Sequence, residues 1–279
     1  MFRYGQYRTM PFSPINETWL HYERSGAGEP LVLIHGSWVD GRVWDAVRPA
    51  LSRSFDVVSF DRRGHSRSVP APAGTIHEDV DDVARLIEAL DLRPAHVAGA
   101  SWGGSIALRL AAARPELLRS LAVHEPPLFD LLDDRDWPEL AELRSVLASV
   151  AELLGSGDHE RGARLYFDQV AATPGGWAGL EPAERAILLA NAPTYLEQGR
   201  DSDALRIDLE SLSAFTGPSL VTFGDRRPPM FRRIAEVVVE ALPEARTQLI
   251  PGSAHDPQVT HPDSYVKVLE QFEITVVPR

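Results

Sequence analysis

The chain has 279 residues, 44% of them hydrophobic, enough for one large α/β domain carrying an inserted subdomain, with a core that needs no cross-links. It contains no cysteine, which excludes disulfides, thiolate metal sites and a cysteine nucleophile. A formal net charge of −12, with 28 basic residues scattered among 40 acidic ones, speaks against nucleic acid as a partner.

Taken in chain order, Thr18–Glu23 alternates with period two and predicts an edge strand, from which Gly26 and Gly28 turn the chain in an early hairpin into a buried strand, Leu31–Ile34. A short helix is expected over Trp44–Leu51, a strand over Phe55–Phe60 and a helix over Thr75–Leu90. The acidic cluster Glu78, Asp79, Asp81 and Asp82 at the start of that helix reads as helix-dipole electrostatics rather than a metal site. The apolar run Ala95–Ala98 then enters Gly99-Ala100-Ser101-Trp102-Gly103-Gly104, followed by the helix-forming stretch Ser105–Ala113 and Pro115. Another strand is expected at Leu121–His124, ending in Glu125.

From Pro126 to about Ala214 strand pattern gives way to helical pattern, over Leu140–Leu153, Arg161–Val170 and Pro182–Ala190, with joints at Gly155-Ser156-Gly157 and Pro174-Gly175-Gly176. This predicts a helical cap over residues 126–214, inserted between core segments 1–125 and 215–279. Strand and helix then alternate again over Ser219–Phe223, Met230–Leu242, Arg246–Ile250 and Asp263–Phe272. Such alternation implies an α/β fold with a mostly parallel sheet, and ligands then bind beyond the C-terminal ends of the strands.

Gly-x-Ser-x-Gly between a strand and a helix is the sequence of a sharp turn that exposes a serine hydroxyl at a helix N-terminus. A hydroxyl is a poor nucleophile at neutral pH and needs a base and a group that orients the base. Two later strand ends carry such groups, Gly224-Asp225 and Gly252-Ser253-Ala254-His255, giving the chain order Ser101, Asp225, His255. Among nine histidines the rival base is His261 in the same segment. His35 is expected to order its own loop, and His65, His96 and His124 read as structural.

This order, with His35-Gly36-Ser37-Trp38 ahead of the serine and the segment Phe60-Asp61-Arg62-Arg63-Gly64-His65-Ser66-Arg67-Ser68, resembles the α/β-hydrolase superfamily, in particular its esterase and perhydrolase-like branches. Ser66 stands where those branches usually carry glycine. The resemblance implies an α/β-hydrolase fold, a catalytic triad of Ser101, Asp225 and His255, and an oxyanion hole of backbone N–H groups. Trp102 is the donor that the elbow itself fixes; Ser37 is assigned by resemblance, or Trp38 if the loop is displaced by one residue. For the acid, Glu125 is the second candidate, because some branches place it after the strand that follows the nucleophile helix; otherwise Glu125 lines the pocket or anchors the cap.

Trp38 and Trp102 are expected beside the reaction centre, narrowing an apolar pocket or packing under the cap. Arg226 and Arg227, straight after the proposed acid, read as surface arginines answering nearby carboxylates, with attraction of an anionic substrate as the alternative, and Asn191–Tyr195 as either a substrate-facing polar group or a helix break. The expected substrate is a small molecule with an apolar acyl or aromatic part: an ester, thioester or lactone, or a compound whose C–C bond is cleaved, processed through an acyl-enzyme on Ser101. A second reading is a lyase, cyclase or cofactor-independent oxygenase using His255–Asp225 as general base; a third is a ligand-binding protein on the same scaffold. No cofactor or metal is expected, since HExxH, GxxxxGK[ST] and GxGxxG are absent. No stretch approaches membrane-spanning length and Met1–Arg8 lacks the apolar segment of a signal peptide, so the expected location is cytoplasmic. No pattern addresses the oligomeric state.

Overall fold

In the computed structural model, which describes residues 12–68, 71–171 and 175–276, eight strands form one sheet in the order β1-β2-β4-β3-β5-β6-β7-β8. They are β1 (Phe12–Ile15), β2 (Thr18–Gly26), β3 (Glu29–Ile34), β4 (Phe55–Phe60), β5 (Ala95–Ala100), β6 (Leu118–His124), β7 (Ser219–Gly224) and β8 (Ala245–Ile250). From β4 onward across the sheet every pairing is parallel, whereas β2 is antiparallel to both β1 and β4. The N-terminal segment read above for a signal peptide lies outside the described residues, as does Pro174 of the second joint.

The first strands differ from the sequence expectation. β2 is flanked on both sides, and β1 is the edge. The tight hairpin joins β1 to β2 through Asn16 and Glu17, both with positive φ (44° and 65°), the backbone that two-residue hairpin loops demand. β2 and β3 do not pair, because β4 lies between them. The apolar Leu31–Ile34, with no exposure at all, occupies the middle of the sheet, where both faces need cover.

Helices supply that cover: α1 (Arg48–Leu51), α2 (Ile76–Ala89), α3 (Trp102–Ala113), α4 (Pro138–Gly155), α5 (His159–Gln169), α6 (Gly176–Gly179), α7 (Pro182–Gln198), α8 (Leu209–Leu212), α9 (Pro229–Ala241), α10 (Pro257–Thr260) and α11 (Pro262–Val276). Alternate strand residues feed opposite cores. Val32, Ile34, Val58, Phe60 and Val97 pack with α2, α3 and α9, while Leu31, Leu33, Val57, Ala98 and Ala100 pack with Trp44, Leu51 and the α11 residues Tyr265, Leu269 and Phe272. α2 starts at a reciprocal cap, Thr75 with Glu78. The expected Trp44–Leu51 helix is split into a 3₁₀ turn at Gly41–Trp44 and the single turn α1.

Between β6 and β7 the described residues contain no strand, and α4, α5 and α7 build a third apolar cluster of their own around Trp38. The stretch after α7 behaves differently: Ala204 and Leu212 pack into the sheet-side core with Phe215. α7 runs unbroken through Pro193, so Asn191–Tyr195 is not a break. One face of this helix carries buried polar groups at a helical spacing, Asn191, Thr194 and Gln198, and each fastens to a core loop. Asn191 donates to the carbonyls of Trp38 (3.0 Å) and Val39 (3.2 Å) and accepts from the Ser66 N–H (2.9 Å). Thr194 meets His65 (3.0 Å), and Gln198 accepts from the Ser37 hydroxyl (2.6 Å).

Candidate active site

Ser101 closes the turn between β5 and α3 with φ 54° and ψ −122°, a conformation that non-glycine residues adopt only where the surroundings force it. Two glycines make the turn possible. A Cβ at Gly99 would lie 2.2 Å from the Gly103 carbonyl oxygen, and one at Gly103 only 2.1 Å from that of Ile34, so helix, elbow and β3 approach closely. Ser101 takes the N-cap position of α3 without spending its side chain on the cap, which leaves the hydroxyl for other work. The loop after β3 passes beside that hydroxyl: a Cβ on Gly36 would stand 3.6 Å from Ser101 Oγ.

His255 follows β8, and its Nδ1 lies 2.7 Å from Glu125 Oε2. Glu125 sits just past β6 with φ 41°, its side chain buried, and its other oxygen accepts the Gly224 N–H at 3.0 Å. Burial pushes this carboxyl up, but the hydrogen bond from His255 and the charges of His124, His255 and Arg227 outweigh burial and hold it down to about 2. Glu125 is therefore an anion at neutral pH. It is placed to keep the His255 proton on Nδ1 and leave Nε2 as acceptor.

Asp225, the expected orienter, is elsewhere. It is exposed, and its Oδ1 accepts the N–H of Gly252 at 2.8 Å, bracing the turn that leads to His255. The reason is geometric: Asp225 leaves β7 on its solvent side, while the backward bend at Glu125 swings the longer side chain under the imidazole. Arg227 also departs from expectation. Its side chain is 4% exposed rather than on the surface, and its Nε is 3.2 Å from the same Glu125 oxygen that His255 contacts.

Four other histidines, His35, His65, His124 and His261, are held by partners of their own. His35 Nδ1 meets the Gly36 carbonyl (2.8 Å) and its Nε2 accepts the Arg62 N–H (2.9 Å), with burial, helped by the Arg62 charge, lowering its pKa to about 4. His65 bridges the Arg63 carbonyl and Thr194, His124 meets Thr222 (2.9 Å), and His261 meets Thr260 (2.9 Å). The acidic cluster of α2 is divided. Glu78 caps the helix, whereas Asp79 and Asp82 form buried ion pairs with Arg62 and Arg63, each at 2.6 Å. Asp79 also accepts the Trp102 indole N–H (3.1 Å), tying the arginine loop to the elbow. Ser66, with φ 42°, adopts the glycine-like backbone its position calls for. Among the described residues no three His, Asp or Glu side chains gather as a metal site, and no helix is long and apolar enough to cross a membrane.

Ser101 and His255 border one cavity of about 380 Å³ between the sheet and the inserted helices, with Ser37 and Trp102 on the same wall. Phe129, Leu147, Tyr166, Val170, Tyr195 and Phe231 make the lining mainly apolar, and Gln198, Arg200, Asp201, Ser202 and Arg227 add polar and charged groups to it. Trp38 is not in this wall: fully buried, it stacks on Tyr195 at a centroid distance of 4.8 Å and packs with Tyr166 and Phe167. A second cavity of about 310 Å³ touches His255 from the side of Val39, Phe167 and Ala171.

A serine on a strand–helix elbow, a histidine after the last strand and a carboxylate beneath it define the α/β-hydrolase class of enzyme. The chain belongs to that family: the sequence profile described as "Alpha/beta hydrolase family" matches residues 31–268. Among curated proteins it is similar to a pimeloyl-[acyl-carrier protein] methyl ester esterase of Aeromonas hydrophila, 28% identical over 254 residues, covering 90% of this chain and 97% of that one. The namesake from Chromobacterium violaceum is 29% identical over 258 residues, with the same coverage of 90% and 97%. Among solved structures, an enol-lactonase from Burkholderia xenovorans superposes with a TM-score of 0.74 at 21% identity, covering 95% of this chain and 100% of the other, a likeness of fold.

Proposed function

We propose that the protein is a serine hydrolase that cleaves a carboxylic ester with an apolar acyl part through an acyl-enzyme on Ser101. The observation that carries this reading is the 2.7 Å contact between His255 Nδ1 and the buried Glu125 carboxylate, made where His255 and Ser101 border a common cavity. His255 Nε2 takes the Ser101 proton as Oγ attacks the ester carbonyl carbon. The carbonyl oxygen becomes an anion that the backbone N–H groups of Trp102 and Ser37 receive. Collapse expels the alcohol, which takes the proton from His255, and water then repeats the sequence on the acyl-enzyme, releasing the acid.

The substrate class rests on two supports. The apolar part of the wall suits a hydrocarbon acyl chain, with Arg200, Asp201 and Arg227 the charged residues elsewhere on it. The curated relatives are named as methyl ester esterases, and an ester is the group they share. The test is turnover of p-nitrophenyl esters of graded acyl length. Wild type is expected to hydrolyse them and Ser101→Ala to lose roughly 10³-fold or more of kcat; full turnover by Ser101→Ala overturns the reading.

A further inference from the structure

The environment of Glu125 contains a group that the triad does not call for. Arg227 Nε points at Glu125 Oε2, and its Nη1 donates to the carbonyls of Val170 (2.9 Å) and Ala171 (3.4 Å) at the end of α5. Its guanidinium carbon lies 4.2 Å from the centre of the Phe231 ring, so the plane of the group is held on three sides. An arginine this enclosed is costly to desolvate unless its charge is matched. Here the matching charge is the one that His255 also uses.

Oε2 of Glu125 thus serves two donors, 2.7 Å from His255 Nδ1 and 3.2 Å from Arg227 Nε. When His255 takes up a proton during the reaction, two cations face one carboxylate. The second cation opposes protonation of the ring, because like charges in a dry site disfavour one another. Through Val170, which lines the larger cavity, and Ala171, which lines the other, the same guanidinium also fixes the carboxylate to the inserted helices.

We propose that Arg227 is a positioning residue that acts on His255 through Glu125: it holds the carboxylate in place and draws on its charge, so that the imidazole stays unprotonated, and able to act as base, down to a lower pH. The inference rests on the role of His255 proposed above, yet its physical content, the effect of Arg227 on the imidazole, exists whether or not an ester is the substrate. Other charged or titratable groups face His255 from each neighbouring element. They are Glu125 and His124 at the end of β6, Asp256 next to His255 itself, Tyr166 on α5, across the first cavity Tyr195, Arg200 and Asp201 in and after α7, and across the second cavity Asp40, Arg42, Asp45 and Glu184. All of these are unchanged by substitution at 227, so a difference between variants reports on the guanidinium.

The experiment follows the His255 ring resonances by NMR as pH is varied, assigned by their loss in His255→Gln, alongside the pH profile of kcat/KM. Arg227→Met and Arg227→Gln, the second keeping a hydrogen-bond donor without charge, are expected to raise the imidazole midpoint measurably above that of wild type, moving the acidic limb of the profile with it. Arg227→Lys, which keeps the charge, is expected to stay near wild type. A midpoint unmoved or lowered in the folded neutral variants, or Arg227→Lys titrating like them, overturns the proposal. A raised midpoint in a protein that hydrolyses no ester sinks only the assigned reaction.

Discussion

At the residue scale the proposed chemistry depends on which carboxylate meets His255. Glu125 is buried, holds its charge and lies in hydrogen-bond contact with the ring; Asp225 is exposed and spends its side chain on a backbone N–H. The two substitutions that remove charge without changing shape therefore separate sharply. Glu125→Gln is expected to lower kcat by on the order of 10²- to 10⁴-fold, the loss seen when the orienting carboxylate of such a triad becomes an amide. Asp225→Asn keeps an oxygen for the Gly252 N–H and is expected to cost less than about tenfold, through the posture of the loop alone. Steady-state kinetics at fixed pH measures both. The sequence held a signal for this assignment: an acidic residue straight after the buried strand Leu118–His124, followed by two prolines, with a later arginine needing a partner. The sequence reading nevertheless preferred Asp225, because Ser–Glu–His and Ser–Asp–His are equally good chain orders and the deciding quantity is a backbone bend at one residue.

At the scale of elements, most of what the chain spells out locally is formed. The elbow was legible because its steric requirements leave a compact glycine signature at 99 and 103, where the carbonyl oxygens of Gly103 and of Ile34 on β3 come within 2.2 Å of an added Cβ. The buried parallel strands were legible as short apolar runs, and the helical insertion as a loss of strand pattern between β6 and β7. What was not legible is pairing. That β2 lies beside β4 and not β3 depends on where β4 returns, a non-local event that no window of sequence contains. Likewise Asn191 and Thr194 look like helix-breaking residues beside Pro193, yet they serve as fasteners because α7 lies on core loops whose free carbonyls, those of Trp38 and Val39, need donors. Trp38, for which the sequence left open a place in the pocket wall or packing under the cap, takes the second: it joins the loop after β3 to the aromatic cluster of the helices between β6 and β7.

At the scale of the whole molecule, the buried histidines and the site carboxylate give stability one direction with pH. His35 and His124 are fully buried, and desolvation lowers each to about 4. Between the ordinary histidine value near 6.5 and that value, the unfolded chain binds protons the folded chain refuses. Stability contributed by these rings is thus complete above about pH 6.5 and falls on acidification, on the order of 1 kcal/mol per pH unit for each. Glu125, held to about 2, adds a loss of the same sign once the pH drops below the ordinary glutamate range. Urea midpoints at a series of pH values should fall steadily from neutrality to pH about 4; a midpoint that is flat or rises over that range contradicts the assignment of neutral buried rings.

In the proposed mechanism one serine, held on a strained turn, is made nucleophilic by the His255–Glu125 pair. The most direct measurement is labelling of the intact protein with a fluorophosphonate, with the adduct located by peptide mass and its rate compared across variants. The account predicts a single adduct on Ser101 in wild type and in Asp225→Asn, formed far more slowly in Glu125→Gln and abolished in His255→Ala. An adduct on another residue, or labelling that survives loss of His255 at an unchanged rate, would contradict it.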